Sequence, residues 1–137
     1  MPKSAYHPST PFRRLPLRPV VWVRTSLVDL QRLPAEVTAD IGYTLHLVQL
    51  DEYPESAKLL RGDLGGLVEL IADHGGNAYR AVFTVKLRHA IYVLHEFQKK
   101  STNGIATSRR DIELIKSRLS VARELDAERD LDSEEPR

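Results

Sequence analysis

Six basic side chains gather in the second half of this 137-residue chain: Arg80 in an alternating run, His95, Lys99 and Lys100 at the end of the next apolar run, and Arg109 and Arg110 before a helical stripe. Such a group can cleave RNA without a metal, because the reaction needs only activation of the 2′-hydroxyl, stabilisation of charge on phosphorus and protonation of the leaving oxygen. An arginine suits the middle task, since its planar fork donates two hydrogen bonds to phosphate oxygens and keeps its charge. A lysine crowded by other cations has a lowered pKa and serves as acid or base nearer neutrality. DNA lacks the 2′-hydroxyl and would be spared.

A plainer reading stands beside that one, and on the residues alone it is the commoner outcome. Lys99 and Lys100 then end a strand and guard its edge, and Arg80 pairs with Glu96. His95 in an apolar strand is more often a half-buried structural residue than a catalyst, and His74 in a glycine-rich turn needs no function. Trp22, Tyr79, Phe83 and Phe97 could stack on bases, but their strand positions suit core packing. Other chemistries are excluded more firmly. There is no phosphate-binding glycine loop, no H-E-x-x-H and no G-x-S-x-G, and the five histidines lack metal-ligand spacing. Neither a metal nor a cofactor is expected.

The elements that must position these residues follow from periodicity. Val20-Val21-Trp22-Val23 is a short β-prone run, and Ser26 with Asp29 resembles a helix-starting capping box. Pro34 disfavours helix at Leu33 and suits the first turn of a second helix, whose stripe is Val37, Ile41, Leu45 and Val48. Leu67 to Ile71 reads as a strand, residues 73–77 as a turn, Tyr79 to Lys86 as a second strand and Ala90 to Gln98 as a third. Ser108 and Asp111 form another cap-like pair before the stripe Ile112, Ile115 and Leu119. Strand, helical hairpin, three-stranded antiparallel meander and C-terminal helix make an α+β domain. A two-residue Leu87-Arg88 loop sets Arg80 opposite His95, and a three-residue loop sets it opposite Glu96. In either register the lysines emerge near Arg80, at roughly 3.3 Å per residue.

Composition bounds the rest. One domain accounts for the length, and the absence of cysteine excludes disulfides and thiolate chemistry and fits a reducing cytoplasm. No export signal or membrane span is expected. Residues 1–18 hold four of the eight prolines and read as an extended arm, 19–123 as the domain and 124–137 as an acidic tail whose order fades. Residues 1–110 carry net +5 and residues 111–137 net −4, so the overall +1 hides a basic body.

Several segments in order carry a family resemblance. They are Pro19 to Val23, Asp40 to Leu50, Ser56 to Gly62, Ala78 to Phe83, Tyr92 to Ser101 (Tyr-Val-Leu-His-Glu-Phe-Gln-Lys-Lys-Ser) and Arg110 to Ile115. Together they resemble the phage-derived Gp49 family within the RelE/ParE superfamily, whose HigB toxins belong to type II toxin–antitoxin pairs. The resemblance spans about residues 19–123. It implies a RelE-like, microbial-RNase-like fold and endonucleolytic cleavage of mRNA on the ribosome. It further implies neutralisation by a helix-turn-helix antitoxin of the HigA kind, through which alone operator DNA is bound. The family's Tyr-Arg arginine falls on Arg80 and its basic residues after the last strand on Lys99 and Lys100, which makes these three the implied catalytic residues. Lys58 and Arg61, where some relatives carry lysines, join His95, Arg109 and Arg110 as implied RNA contacts. Many RelE-like toxins carry a basic residue where this chain has Ile71, which implies an altered rate or ribosome dependence. The alternatives are a ParE-like inhibitor of DNA gyrase on the same fold, or an inactive relative that binds antitoxin only.

Overall fold

The computed structural model describes residues 17–99 and 107–134; Lys100 and residues 1–16 lie outside the described residues. The elements are β1 (Val20–Trp22), α1 (Ser26–Gln31), α2 (Ala35–Gln49), β2 (Ala57–Leu59), a 3-10 turn (Gly62–Leu64), β3 (Leu67–His74), β4 (Asn77–Thr84), β5 (Ile91–Lys99) and α3 (Arg109–Glu134). They form one sheet of order β1-β5-β4-β3-β2, with β1 parallel to β5 and the other neighbours antiparallel. The α+β architecture expected from the element order is observed. Two details extend it: β2 adds a fifth strand beside β3, and β1 lies along the outer edge of β5 rather than beside the meander's first strand.

Each face of the sheet has its own core. The α2 stripe of Val37, Ile41, Leu45 and Val48 is buried against Tyr79, Ala81, Phe83, Ile91 and Val93. Ile115, Leu119 and Ala122 of α3 are buried against Val82, Tyr92, Leu94 and Phe97 on the other side. Phe83 and Tyr92, both wholly buried, anchor one core each, and burial of a side chain of this size stabilises by about 2–3 kcal/mol. Pro34 immediately precedes α2, and Thr38 Oγ1 donates to Leu30 O at 2.8 Å, tying the helical hairpin together. At the start of α1 the capping residue is Thr25, one position before the expected Ser26, which is itself buried. Ser108 does cap α3: its Oγ accepts from the Asp111 amide at 3.1 Å and donates to Asp111 Oδ2 at 2.7 Å. Gly75 and Gly76 take positive φ at the tip of the β3–β4 hairpin, as a two-residue turn of matching twist requires.

The register of β4 and β5 differs from both alternatives drawn from loop length. Arg80 pairs with Phe97, not with His95 or Glu96, and Val82 pairs with His95 while Phe83 pairs with Val93. Leu94 is thus an extra residue in β5. The β4–β5 connection occupies residues 85–90, longer than the tight loop expected, and the bulge shifts the count again.

The acidic stretch through Asp126 and Asp130 is part of the fold. α3 continues to Glu134, past the point where order was expected to fade, because its carboxylates dock on the β4–β5 loop. Asp126 accepts from the Arg88 and His89 amides at 2.8 and 2.9 Å and from the Tyr92 hydroxyl at 2.9 Å, and Asp130 meets His89 Nε2 at 2.6 Å. Arg18 anchors the other terminus, donating to Val85 O at 3.0 Å and accepting from Gln49 Nε2 at 2.8 Å, so the packed body includes residue 18.

Burial pushes the Tyr92 phenol up to about 12, and its hydrogen bond to Asp126 adds to the shift. Burial also raises the Asp126 carboxyl, but the Arg88 and His89 amides and the Tyr92 hydroxyl more than offset this and hold it below its ordinary 3.8. A carboxyl lowered on folding stabilises the protein above its unfolded pKa, and that contribution is lost as pH falls through the folded value. Asp126→Asn is therefore expected to lose about 1–3 kcal/mol at pH 7, with the difference from wild type shrinking below about pH 4. Urea unfolding at pH 7 and pH 3 checks it; an equal loss at both would show that the ionised carboxylate is not what matters.

Candidate functional site

The bulge decides which side chains share a face. Beyond it His95 takes the register of Val82, and Phe97 that of Arg80, so His95, Phe97 and Lys99 of β5 stand on the α3 side of the sheet with Arg80 of β4. Glu69, Ile71 and Asp73 of β3 and Lys58 of β2 continue this face across the sheet. Only the half nearer the β4–β5 loop is covered by the α3 stripe. The end carrying Ile71, Asp73, Arg80, Phe97 and Lys99 is the candidate site.

Arg80 is firmly held. Its side chain is only 12% exposed, Nη1 lies 3.2 Å from Asp73 Oδ1 and 2.9 Å from its own Tyr79 carbonyl, and Nε is 4.0 Å from Glu69 Oε1. That last contact is an ion pair without a hydrogen bond, and Nε is buried without an acceptor. The expected Arg80–Glu96 pair does not form. Lys99 pairs in register with Ala78, one row beyond Arg80 on the same face, a diagonal separation of about 7–8 Å. Lys58 is exposed opposite Glu69, two strands from Val82. Arg61 follows β2 at the opposite end of the sheet from Lys99 and is not brought to the group. Arg109 and Arg110 are the exposed first residues of α3, and only Arg110 lines the adjoining groove.

That groove, about 830 Å³, lies along β5 where β1 has ended, between α1 and the start of α3. His95 Nε2 is 2.8 Å from Asp111 Oδ1, and the His95 ring stacks on Phe97 with centroids 4.9 Å apart. With Ser108 on the other Asp111 oxygen, this chain locks the first turn of α3 to β5. A second chain ties α3 to α1: Arg118 donates to Leu94 O at 2.8 Å and Thr25 Oγ1 at 2.8 Å and pairs with Asp29 at 3.3 Å. Glu96 lies beside it at 4% exposure, and neither carboxyl oxygen has a partner. Burial, and secondarily the charge of Asp29, push Glu96 up to about 8 against the opposing effect of Arg118.

Asp29, Glu96, Asp111 and Arg118 did not emerge from the sequence as site residues. Glu96 had a visible signal, a charge inside the apolar run Tyr92 to Phe97. The His95–Asp111 and Asp29–Arg118 contacts join residues far apart in the chain and had none. Among the described residues no group of three acidic or histidine side chains is placed to hold a metal.

Glu96 gives a signed pH prediction. Its folded pKa lies above its ordinary 4.5, so the folded state binds the extra proton and loses stability as pH rises from about 4.5 to about 8, with no further loss above. Glu96→Gln is expected to gain about 2–4 kcal/mol at pH 8 and almost nothing at pH 4.5. Thermal unfolding across that range measures it, and a pH-independent gain would contradict a neutral buried acid.

The family model for Phage derived protein Gp49-like (DUF891) matches residues 28–120. No curated protein matches the chain. Among solved structures, a chain of the toxin–antitoxin complex RelBE2 from Mycobacterium tuberculosis is similar, with 20% identity and a TM-score of 0.45, over 59% of this chain and 96% of that one. The family match runs from α1 into α3 and takes in every strand that builds the candidate face. The chain belongs to the Phage derived protein Gp49-like family.

Proposed function

We propose that this protein is the toxin of a type II toxin–antitoxin pair, acting in the cytoplasm as a metal-independent endoribonuclease on messenger RNA at the ribosome. The observation that carries this reading is the gathering of Arg80 and Lys99 at the end of one sheet face that α3 leaves uncovered, with Lys58 farther along the face and the buried His95 next to it. Membership of the Gp49-like family supports it, through the resemblance of the Tyr-Arg strand and the following lysines to RelE-type toxins. The partners on this reading are mRNA, the ribosome and a helix-turn-helix antitoxin of the HigA kind, with operator DNA reached only through that antitoxin.

In this mechanism Arg80 receives the scissile phosphate. Its current partner Asp73 is 67% exposed, and exposed ion pairs are weak, so a phosphate with two oxygens to offer displaces it. Glu69, largely buried, stays behind and keeps the guanidinium aimed. Lys99 and Lys100 supply the proton transfers at the 2′-hydroxyl and the leaving oxygen.

Arg80→Lys retains the charge that Glu69 and Asp73 require but loses the fork. Expressed in bacteria, it is expected to cleave transcripts on the order of 10²-fold more slowly than wild type, with unchanged thermal unfolding. The Lys99→Ala/Lys100→Ala double variant is expected to abolish growth arrest. Transcript 5′ ends mapped after induction, beside a gyrase supercoiling assay, provide the readout. Full toxicity of both variants would sink the site assignment, and blocked supercoiling with intact transcripts would replace the nuclease by a gyrase poison.

A further inference from the structure

Independently of any toxin activity, we infer that the solvent face of α2 is a docking strip for residues 1–16 of the same chain. The arm runs up the helix from its C-terminal end, with apolar side chains and prolines on Tyr43 and Leu50 and arginines on Asp40.

α2 is apolar on both sides. Val37, Ile41, Leu45 and Val48 are buried against the sheet. The opposite positions, Ala39, Tyr43, Leu47 and Leu50, follow one another at spacings of four and three and are exposed or half-buried. A surface helix ordinarily places polar residues there. Here Tyr43 is 64% exposed and Leu50 42%, and Tyr53 is exposed just beyond the helix. Single apolar residues on a surface need no explanation, but a run of them at helical spacing does.

The charges around this strip and on the arm are complementary. Residues 35–55 carry five carboxylates, Glu36, Asp40, Asp51, Glu52 and Glu55, and no lysine or arginine. Glu36 faces His74 at 3.8 Å, whereas the other four form no ion pair among the described residues. Residues 1–16 contain Lys3, Arg13 and Arg14 and no carboxylate, together with four prolines, Tyr6, Phe12 and Leu15. Proline-rich segments suit exposed aromatic surfaces, because an extended chain stiffened by proline loses little entropy on docking.

The point of attachment sets the register. The Arg18 amide donates to Gln49 O at 3.4 Å and Gln49 Nε2 donates to Arg18 O at 2.8 Å, so the chain enters the fold at the last residue of α2. From Gln49 back to Asp40 is about 13 Å along the helix, at roughly 1.5 Å per residue. From Arg18 back to Arg14 and Arg13 is about 12–16 Å, at roughly 3.1 Å per residue of extended chain. Both arginines therefore come level with Asp40, and Leu15 comes level with Tyr43. Exposed ion pairs and partly buried side chains are individually weak. Attachment at Arg18 makes their formation intramolecular, at an effective concentration in the millimolar range, an advantage that a second copy or a separate protein lacks.

The chain has no cysteine, so Thr10→Cys carries a single nitroxide label into the full-length protein, and amide line broadening reports what the label approaches. On the same register Thr10 comes level with the first turn of α2. The amides of Glu36, Ala39 and Asp40 are expected to lose most of their intensity, while those of Arg80 and Lys99 keep theirs. Arg13→Glu/Arg14→Glu should restore the lost intensity, and adding Asp40→Arg to that pair should bring part of the broadening back. Tyr43→Ser, at an exposed position, should weaken the broadening with the unfolding temperature unchanged. Broadening confined to Arg18 and Gln49, broadening on the Arg80 face, or no response to the charge reversal each overturns the docking. Broadening carried from labelled chains to isotope-enriched unlabelled chains in a mixed sample would replace the chain's own arm by that of a second copy.

Discussion

β1 stops pairing with β5 after Trp22, and the consequences of that stop organise both the sheet and the groove. The last ladder bond at this edge runs from the Val23 amide to Val93 O. The next carbonyl, Leu94 O, belongs to the bulge residue, and a buried carbonyl there would cost free energy if left unmet. Arg118 reaches across from α3 to meet it, and the same guanidinium secures Asp29 and Thr25 of the α1 segment. One side chain therefore closes the edge that β1 leaves open, holds α1 to α3, and opens the groove beyond it. The bulge it caps also rotates the alternation of β5, so that Tyr92, Leu94 and Phe97 all feed the α3-side core. His95 and Lys99 follow Phe97 onto that face.

Electrostatics on the exposed half of this face are more balanced than a tally of basic residues suggests. Arg80 sits between two carboxylates of unequal burial, Glu69 and Asp73. The buried one orients it and is hard to displace; the exposed one is easily exchanged, because water and salt screen it. An arginine held in this way loses little rotamer freedom on meeting a substrate. Ile71, paired directly with Arg80, gives the guanidinium an apolar floor where a cation would have repelled it.

Most of the fold was legible because it rests on local pattern. The stripe Val37, Ile41, Leu45 and Val48 stated α2, the alternation from Tyr79 stated β4, and Ser108 with Asp111 stated the start of α3. What was not legible depends on partners distant in sequence. β2 is only three residues, Ala-Lys-Leu, too short for its alternation to register, and pairing with β3 makes it a strand. The acidic C-terminal half of α3 reads as unstructured by composition, yet Asp126 and Asp130 find the Arg88 and His89 loop about forty residues earlier in the chain. The bulge at Leu94 leaves no mark in Val-Leu-His-Glu, so the face occupied by His95 could not be counted from a loop length. For the site, residue types were visible and their assignments were not: Arg80 and Lys99 do share a face, while Arg61 is carried to the far end by the direction of β2.

The charge order of α3 adds an argument about where an anion belongs. A helix favours acidic residues in its first turn and basic ones in its last, and α3 largely reverses this, opening on Arg109-Arg110 and ending in a run rich in acid. Each misplaced charge costs about 0.3–1 kcal/mol unless something offsets it. At the C-terminal half the offset is visible, since Asp126 and Asp130 are bound by the β4–β5 loop. At the N-terminal end Asp111 is occupied by His95 and Ser108, which leaves the two exposed arginines opposed to the helix dipole. An anion near the start of α3 would remove that opposition. Helix stability alone does not explain this placement of charge.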